Sequence, residues 1–371
     1  ITLAGGTLQW ATGNTQNIGS RMVLVPGAVA TLDTNGNNVS LTGTIGSSAA
    51  AALVKVGLGT LTGTTNNTGG LTVNAGQVNL TGWANSPNNT LTVNSGGVLQ
   101  FGAGGDQRAL AGPLIGPTAP VMLTPVVVNA GGLLLQNNTF STVPLGPLTL
   151  AGGTYNATNS SQGFGPYALT GTVTVNGTQT SAINNTSGTP IPLGARNVAN
   201  ALDSTFTVTF DVADSAVGTD LLVTGLLGNG ILIGGNGDGQ ASLHRRTSNL
   251  VKTGAGTMVL NGANDYTGST RIDSGTLELG AGGTVGSLST ASAITGSAGG
   301  TLVFNRSDTI GSGTAFFNTI AGGLNVVQRG SGTTVLSGSN TYTGTTSVNA
   351  GTLQIGAGST AGSIAASAAI T

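Results

Sequence analysis

At 371 residues with a formal net charge of -1, 6% charged and 4% aromatic residues, the chain is far poorer in ionisable groups than an ordinary soluble domain, where about 25% of residues are charged. Its ten Lys and Arg are spread out, which excludes a basic face for nucleic acid or an anionic membrane, and without cysteine there is neither a disulfide frame nor a thiolate metal site. The 65 glycines follow no every-third-residue period, which excludes collagen, and no run of about 18 apolar residues is present to cross a bilayer as a helix.

The chain opens ITLAGGTLQW, with no initiator Met, basic region or apolar leader, so any export signal is expected outside this segment. Ala4–Trp10 is the first instance of a simple unit: a small residue or Asn, one or two Gly, then a short run alternating apolar and polar. The unit returns at Asn74–Leu80, Asn94–Phe101, Asn129–Gln136, Leu150–Asn156, Ser274–Leu279, Ala298–Phe304 and Asn349–Ile355. The steps from Gly76 to Gly97, from Gly132 to Gly153 and from Gly275 to Gly300 are alike in length, and each is read as one turn of a solenoid. Alternation predicts short strands that send every second side chain into a narrow core, and Gly and Asn supply the left-handed backbone of the bends between them. The Ala-rich tracts Ser47–Leu53 and Ile364–Ile370 lack capping boxes and read as corners or strands.

Such turns stack into parallel sheets with strands about 4.8 Å apart. The predicted fold is therefore all-β, one elongated β-solenoid; at ~22 residues per turn it would make about 17 turns and a rod on the order of 80 Å long. Residues 1–187 are expected to be regular solenoid. Residues 188–248 are expected to be irregular, charge-richer turns, because the two prolines of Gly188–Asn197 suggest a break or loop and Gly228–Gln240 a projecting loop, while Thr205–Val212 and Leu221–Thr224 remain strand-like. Residues 249–371 return to regular solenoid.

This last stretch holds a long repeat. Gly254–Gly280, GAGTMVLNGANDYTGSTRIDSGTLELG, recurs in register as Gly330–Gly356, and Asn249–Thr295 shares 25 of 47 positions with Asn325–Thr371. The string Leu250–Thr257, continued by Asn264–Gly268 and Ser274–Gly280, resembles the passenger-associated repeat of bacterial autotransporters. Asn325–Gly356 is a second copy and Leu53–Leu80 a shortened third. The resemblance implies a right-handed parallel β-helix, exported across the outer membrane of a Gram-negative bacterium and displayed or released outside. It transfers no catalytic residues.

Sites with chemistry are few. His244, Arg245 and Arg246, with Asp238, form a weak match to the acids and bases of β-helical polysaccharide-acting enzymes, and a solvated loop is the preferred reading. Gly234–Ala241 approaches a calcium nonapeptide, but Asp238 falls one position early and the unit does not recur, so it reads as a turn. Asp211, Asp214 and Asp220 are taken as solubilising rather than metal-binding. Tyr266 and Tyr342 share a repeat position and are expected in packed corners. Trp10, Trp83, Phe316 and Phe317 are candidates for exposed adhesive contacts. The Asn-x-Ser/Thr triplets at Asn66, Asn137, Asn156, Asn176 and Asn305 are expected from composition alone.

No catalytic residue, metal or cofactor is assigned. The expected role is a non-enzymatic extracellular stalk, adhesive passenger or fibre-forming surface protein. The alternatives are a polysaccharide-acting enzyme and a passive spacer for an effector outside this segment. Expected partners are a host surface, an extracellular glycan, or further copies of the chain end to end or side by side. The last residues, Ala369–Thr371, stand at the same repeat phase as the first, which motivates the end-to-end option.

Overall fold

The computed structural model describes residues 1–45, 50–65, 67–83, 90–101, 124–136, 144–158, 167–196, 205–232, 245–310, 318–358, 362–365 and 370. Among them the alternating runs become short strands, and a single 3-10 turn at Gly19–Arg21 is the one helical element. Almost all named pairings are parallel and join each strand to its counterpart one turn on, the arrangement of a β-helix with three faces.

The first face climbs from Thr7–Gln9 through Val29–Asp33, Ala52–Val56, Leu71–Val73, Leu91–Val93, Val126–Asn129, Leu148–Ala151, Thr172–Val175 and Phe206–Val212 to Ser248–Thr253. It continues through residues 270–272 and 294–296 to Ile320–Gly322. The second face begins at Val39–Ile45 and passes Thr60–Thr65, Gly76–Trp83, Gly97–Phe101, Leu133–Gln136, Thr154–Ala157, Ser181–Asn185, Leu221–Val223 and Thr257–Leu260. It ends through residues 276–279 and 301–304 with Asn325–Gln328 and Thr346–Val348. The third face is less regular. It contains Ile191–Arg196 with Leu227–Leu232, then Thr309–Ile310, Thr333–Leu336 and Thr352–Ile355, together with isolated bridges such as Leu169 to Leu193 and Ala263 to Ser287.

Inside, like stacks on like. One column of the first face reads Ala30, Leu53, Leu71, Leu91, Val126, Leu148, Val173 and Phe210, and one of the second reads Leu61, Val78, Leu99, Leu134, Tyr155, Ile183, Val223, Leu260, Leu279 and Phe304. All are buried. At roughly 1.5–3 kcal/mol per buried aliphatic side chain, these columns and the continuous backbone ladders hold the turns together, and ion pairs need contribute little.

Turn length varies more than the repeat unit suggests. Thr72 pairs with Thr92 after a short turn, whereas Thr174 pairs with Asp211 and Thr209 with Val251 across much longer excursions. The chain consequently makes fewer turns than the about 17 that uniform spacing implies. Within Gly188–Asn197 the described residues are not a break, and Asn197 lies outside them: Ile191–Arg196 is a strand, in which the Pro192 carbonyl accepts from Leu169 N at 3.0 Å and the ring replaces an N–H the ladder does not use. Residues 228–232 likewise belong to a strand, and the rest of Gly228–Gln240 lies outside the described residues.

Candidate functional site

The repeat is where the sequence concentrates its unusual residues, and its geometry starts with a lysine inside an aliphatic column. Lys252 is registered between Phe210 and Ile272, inward-facing and fully buried. A buried ammonium must be satisfied. Its Nζ donates to the carbonyls of Thr253 at 2.7 Å and Gly254 at 2.8 Å in its own bend, and to Ser274 at 3.2 Å one turn on. Lys55, between Leu32 and Val73, repeats this with Val56, Gly57 and Ala75 at 2.9, 2.7 and 3.1 Å. In the third instance Gln328, between Phe304 and Val348, donates Nε2 to Gly330 and Gly332 at 2.9 and 3.2 Å. Burial lowers both lysines to about 8, opposed by Asp33 for Lys55 and by Asp211 and Asp220 for Lys252.

The bends tied by these side chains are closed by a glycine from the following turn. A Cβ on Gly275 would lie 2.4 Å from Gly254 O and 2.6 Å from Gly256 O, and equivalent close approaches occur at Gly76 and Gly351. Each of the three has a positive φ as well. In this bend the shortened copy at Leu53–Leu80 is therefore equivalent to the two long ones.

After the bend comes a corner. Asn264 Oδ1 accepts from Leu227 N at 3.0 Å, and Tyr266, fully buried, bonds through its hydroxyl to Thr270 Oγ1 at 2.6 Å. Asn340 and Tyr342 do the same with Ile320 N at 2.9 Å and Thr346 Oγ1 at 2.7 Å. The packed-corner reading of both tyrosines holds, and burial pushes both phenols up.

The remaining candidates disperse. Asp220 is buried, not solubilising: its carboxylate accepts from Ser215 N at 3.0 Å, Ser215 Oγ at 2.5 Å and Thr257 N at 2.8 Å, pinning one bend to the next turn. Asp214 is exposed and Asp211 accepts from Thr253 Oγ1. Among the described residues no group of three or more His, Cys, Asp or Glu could hold a metal ion. Trp10 is not an exposed contact, being 4% accessible with Nε1 donating to Gln16 O at 3.0 Å. His244, Asp238, Phe316 and Phe317, and the side chain of Trp83, lie outside what is described, as do Asn66 and Asn137. Arg245 and Arg246 form a short antiparallel strand on Ile231 and Gly230.

Sequence reasoning missed the lysine clamps, although a Lys inside the run Leu-Val-Lys before a Gly bend carries the signal. It also missed a buried tyrosine pair: Tyr155 stacks on Tyr167 with centroids 5.9 Å apart, and Tyr167 Oη accepts from Phe101 N at 3.0 Å.

Residues 250–279 and 326–355 each match the passenger-associated-transport-repeat family. The chain is also 31% identical over 302 residues to the adhesin BmaC autotransporter of Brucella suis biovar 1 (strain 1330), a match covering 72% of this chain and 8% of that much longer protein. No solved structure matches. This chain is thus a ladder of parallel strands that carries two such repeats and is similar in sequence to part of an autotransporter adhesin.

Proposed function

We propose that this segment is an exported stalk of a surface adhesin, whose work is to give reach and to present neutral, hydroxyl- and amide-rich faces to a host surface or an extracellular glycan. The observation that carries the reading is the outward side of the first face. Thr31, Thr72, Thr92, Thr149 and Thr174 stand in one register row, with Val54 and Val127 between them. Beside that row Asn129 donates to Asn94 at 2.6 Å and Asn94 to Asn74 at 2.7 Å, an amide ladder along the rod. Uncharged rows on a rigid sheet suit repeated weak contacts with a neutral surface, in which many small terms add by avidity. The similarity to an autotransporter adhesin supports the same reading. Copies lying side by side through these rows are the alternative partner.

The test is an in-frame deletion of residues 1–371 from the full reading frame, expressed on a Gram-negative cell, with surface display of the remainder followed by antibody. Adhesion to epithelial cells and to immobilised neutral glycans should fall at least tenfold while display is unchanged. Adhesion equal to that of the intact protein would reduce the segment to a spacer. Loss of cell–cell aggregation alone would identify copies of the chain as the partner.

A further inference from the structure

The two long copies of the repeat do not occupy the same faces. In the first, residues 250–252 lie on the first face, against Phe206–Val212, and Thr257–Leu260 on the second, against Leu221–Val223. The Asn264 and Tyr266 corner of this copy lies on the third face, where Asp265 N donates to Leu227 O at 3.0 Å. In the second copy, Asn325–Gln328 lies on the second face, against residues 301–304, and Thr333–Leu336 on the third, against Thr309–Ile310. Its Asn340 and Tyr342 corner has moved to the first face, where Thr341 N donates to Ile320 O at 2.8 Å.

The step is visible in the ladder. Leu250 is followed on the first face by Thr270, Ile294 and Ile320, three turns on, but its repeat equivalent is Val326, which lies past Ile320 and one face further. Local geometry survives this step. Both corners keep the Asn cap and the Tyr hydroxyl bond, both bends keep the inward Lys or Gln, and the outward edge stays outward, with Asp265 and Thr267 exposed in one copy and Thr341 and Thr343 in the other.

We infer that the long repeat is a face-independent module: it folds on whichever neighbouring faces the preceding turn offers, and gain or loss of one period turns everything beyond it by one face. The physical reason is that the contacts both copies make with the turn below are backbone ladders, an apolar column and an Asn cap on a backbone N–H, which each face can offer, whereas the Asp220 bond to Thr257 N and the Asn229 bond to Thr267 belong to the first copy's surroundings. A consequence follows for recognition. Successive copies present the same edge on successive sides of the rod, so adjacent copies never contribute equivalent positions to one side, and an edge returns to its starting side only after three periods. A change of copy number re-aims the surfaces on either side of it relative to each other.

The test is removal of residues 254–329 from the full chain, joining Thr253 to Gly330. Thr333–Leu336 should then stack on Leu221–Val223, and Thr343 should take the place of Thr267, whose Oγ1 accepts from Asn229 Nδ2 at 3.0 Å. With Asn229→Cys and Thr343→Cys the shortened chain should form an intramolecular disulfide at the rate of Asn229→Cys with Thr267→Cys in the full chain. The same Asn229→Cys, Thr343→Cys pair in the full chain should form none. A second variant duplicates residues 254–329 and should be as resistant to protease as the parent. The cross-link in the shortened chain, or a protease-resistant duplication where the shortened chain does not fold, supports the module. A folded, shortened chain without the cross-link, or failure of both variants to fold, would overturn it.

Discussion

Replacing Lys252 isolates the clamp that lets a cation stand in an aliphatic column. Lys252→Met keeps the stem and removes the three donors, leaving the carbonyls of Thr253, Gly254 and Ser274 without that partner in a closed bend. A hydrogen bond to a charged group is worth about 1.5–3 kcal/mol, and an orphaned buried polar group costs about 1–3 kcal/mol. Against this, the variant recovers the several kcal/mol spent on desolvating the ammonium. We expect a net loss of about 2–4 kcal/mol in local stability. Lys252→Gln should cost only about 1 kcal/mol, since Gln328 performs this task at the equivalent position. Because solenoid turns need not unfold in one step, the assay is native-state hydrogen exchange at Thr276 and Gly256, whose amides bond across the clamped bends to Gly256 O at 3.1 Å and Val212 O at 2.9 Å. If exchange in Lys252→Met matched the parent within about 0.5 kcal/mol, the clamp would carry no stability and the reasoning would fail.

Three further outcomes follow from the same geometry. Both clamp lysines are lowered to about 8 from 10.5, so the unfolded chain binds more protons between those values; stability should rise from pH 8 to about 9.5, and denaturation midpoints of Lys55→Met with Lys252→Met should be flat there. Above pH 10 the sign reverses, because Tyr155, Tyr167, Tyr266 and Tyr342 are raised by burial and the unfolded chain loses its phenolic protons first; the Tyr266→Phe chain should lose less of its stability over that range. Gly275→Ala and Gly171→Ala meet similar φ angles of 66° and 63°, but only the first runs into carbonyls; thermal unfolding should show about 1–2 kcal/mol for Gly171 and clearly more for Gly275, and equal effects would mean that close packing of the bend contributes nothing.

Much of the architecture was legible because a solenoid repeats its physics. The alternation in Leu91–Val93 or Thr172–Val175 names the inward residues directly, and the Tyr266 and Tyr342 corners could be inferred from their shared phase. What could not be read was where long turns close. The step from Thr174 to Asp211 depends on which strand recaptures the ladder after an excursion, and spacing alone does not encode that. Pro192 misled because proline is barred from ladders only where its N–H is needed. Asp220 and Trp10 misled in the opposite direction, since a carboxylate among other acids and a lone tryptophan look exposed until the bend that uses them is known. The face step of the repeat was hidden for a similar reason: an ungapped, in-register period suggests whole turns, and only the strand register shows the extra face.

Stacking in parallel register, one turn on the next, is the central claim, and spin labels at Thr31 and Thr174 test it most directly. The two positions are joined by six ladder steps, through Val54, Thr72, Thr92, Val127 and Thr149. At about 4.8 Å per step a pulsed electron resonance measurement on Thr31→Cys with Thr174→Cys should give one narrow distribution near ~29 Å. A broad distribution, or a maximum beyond about 45 Å, would contradict the stacked solenoid.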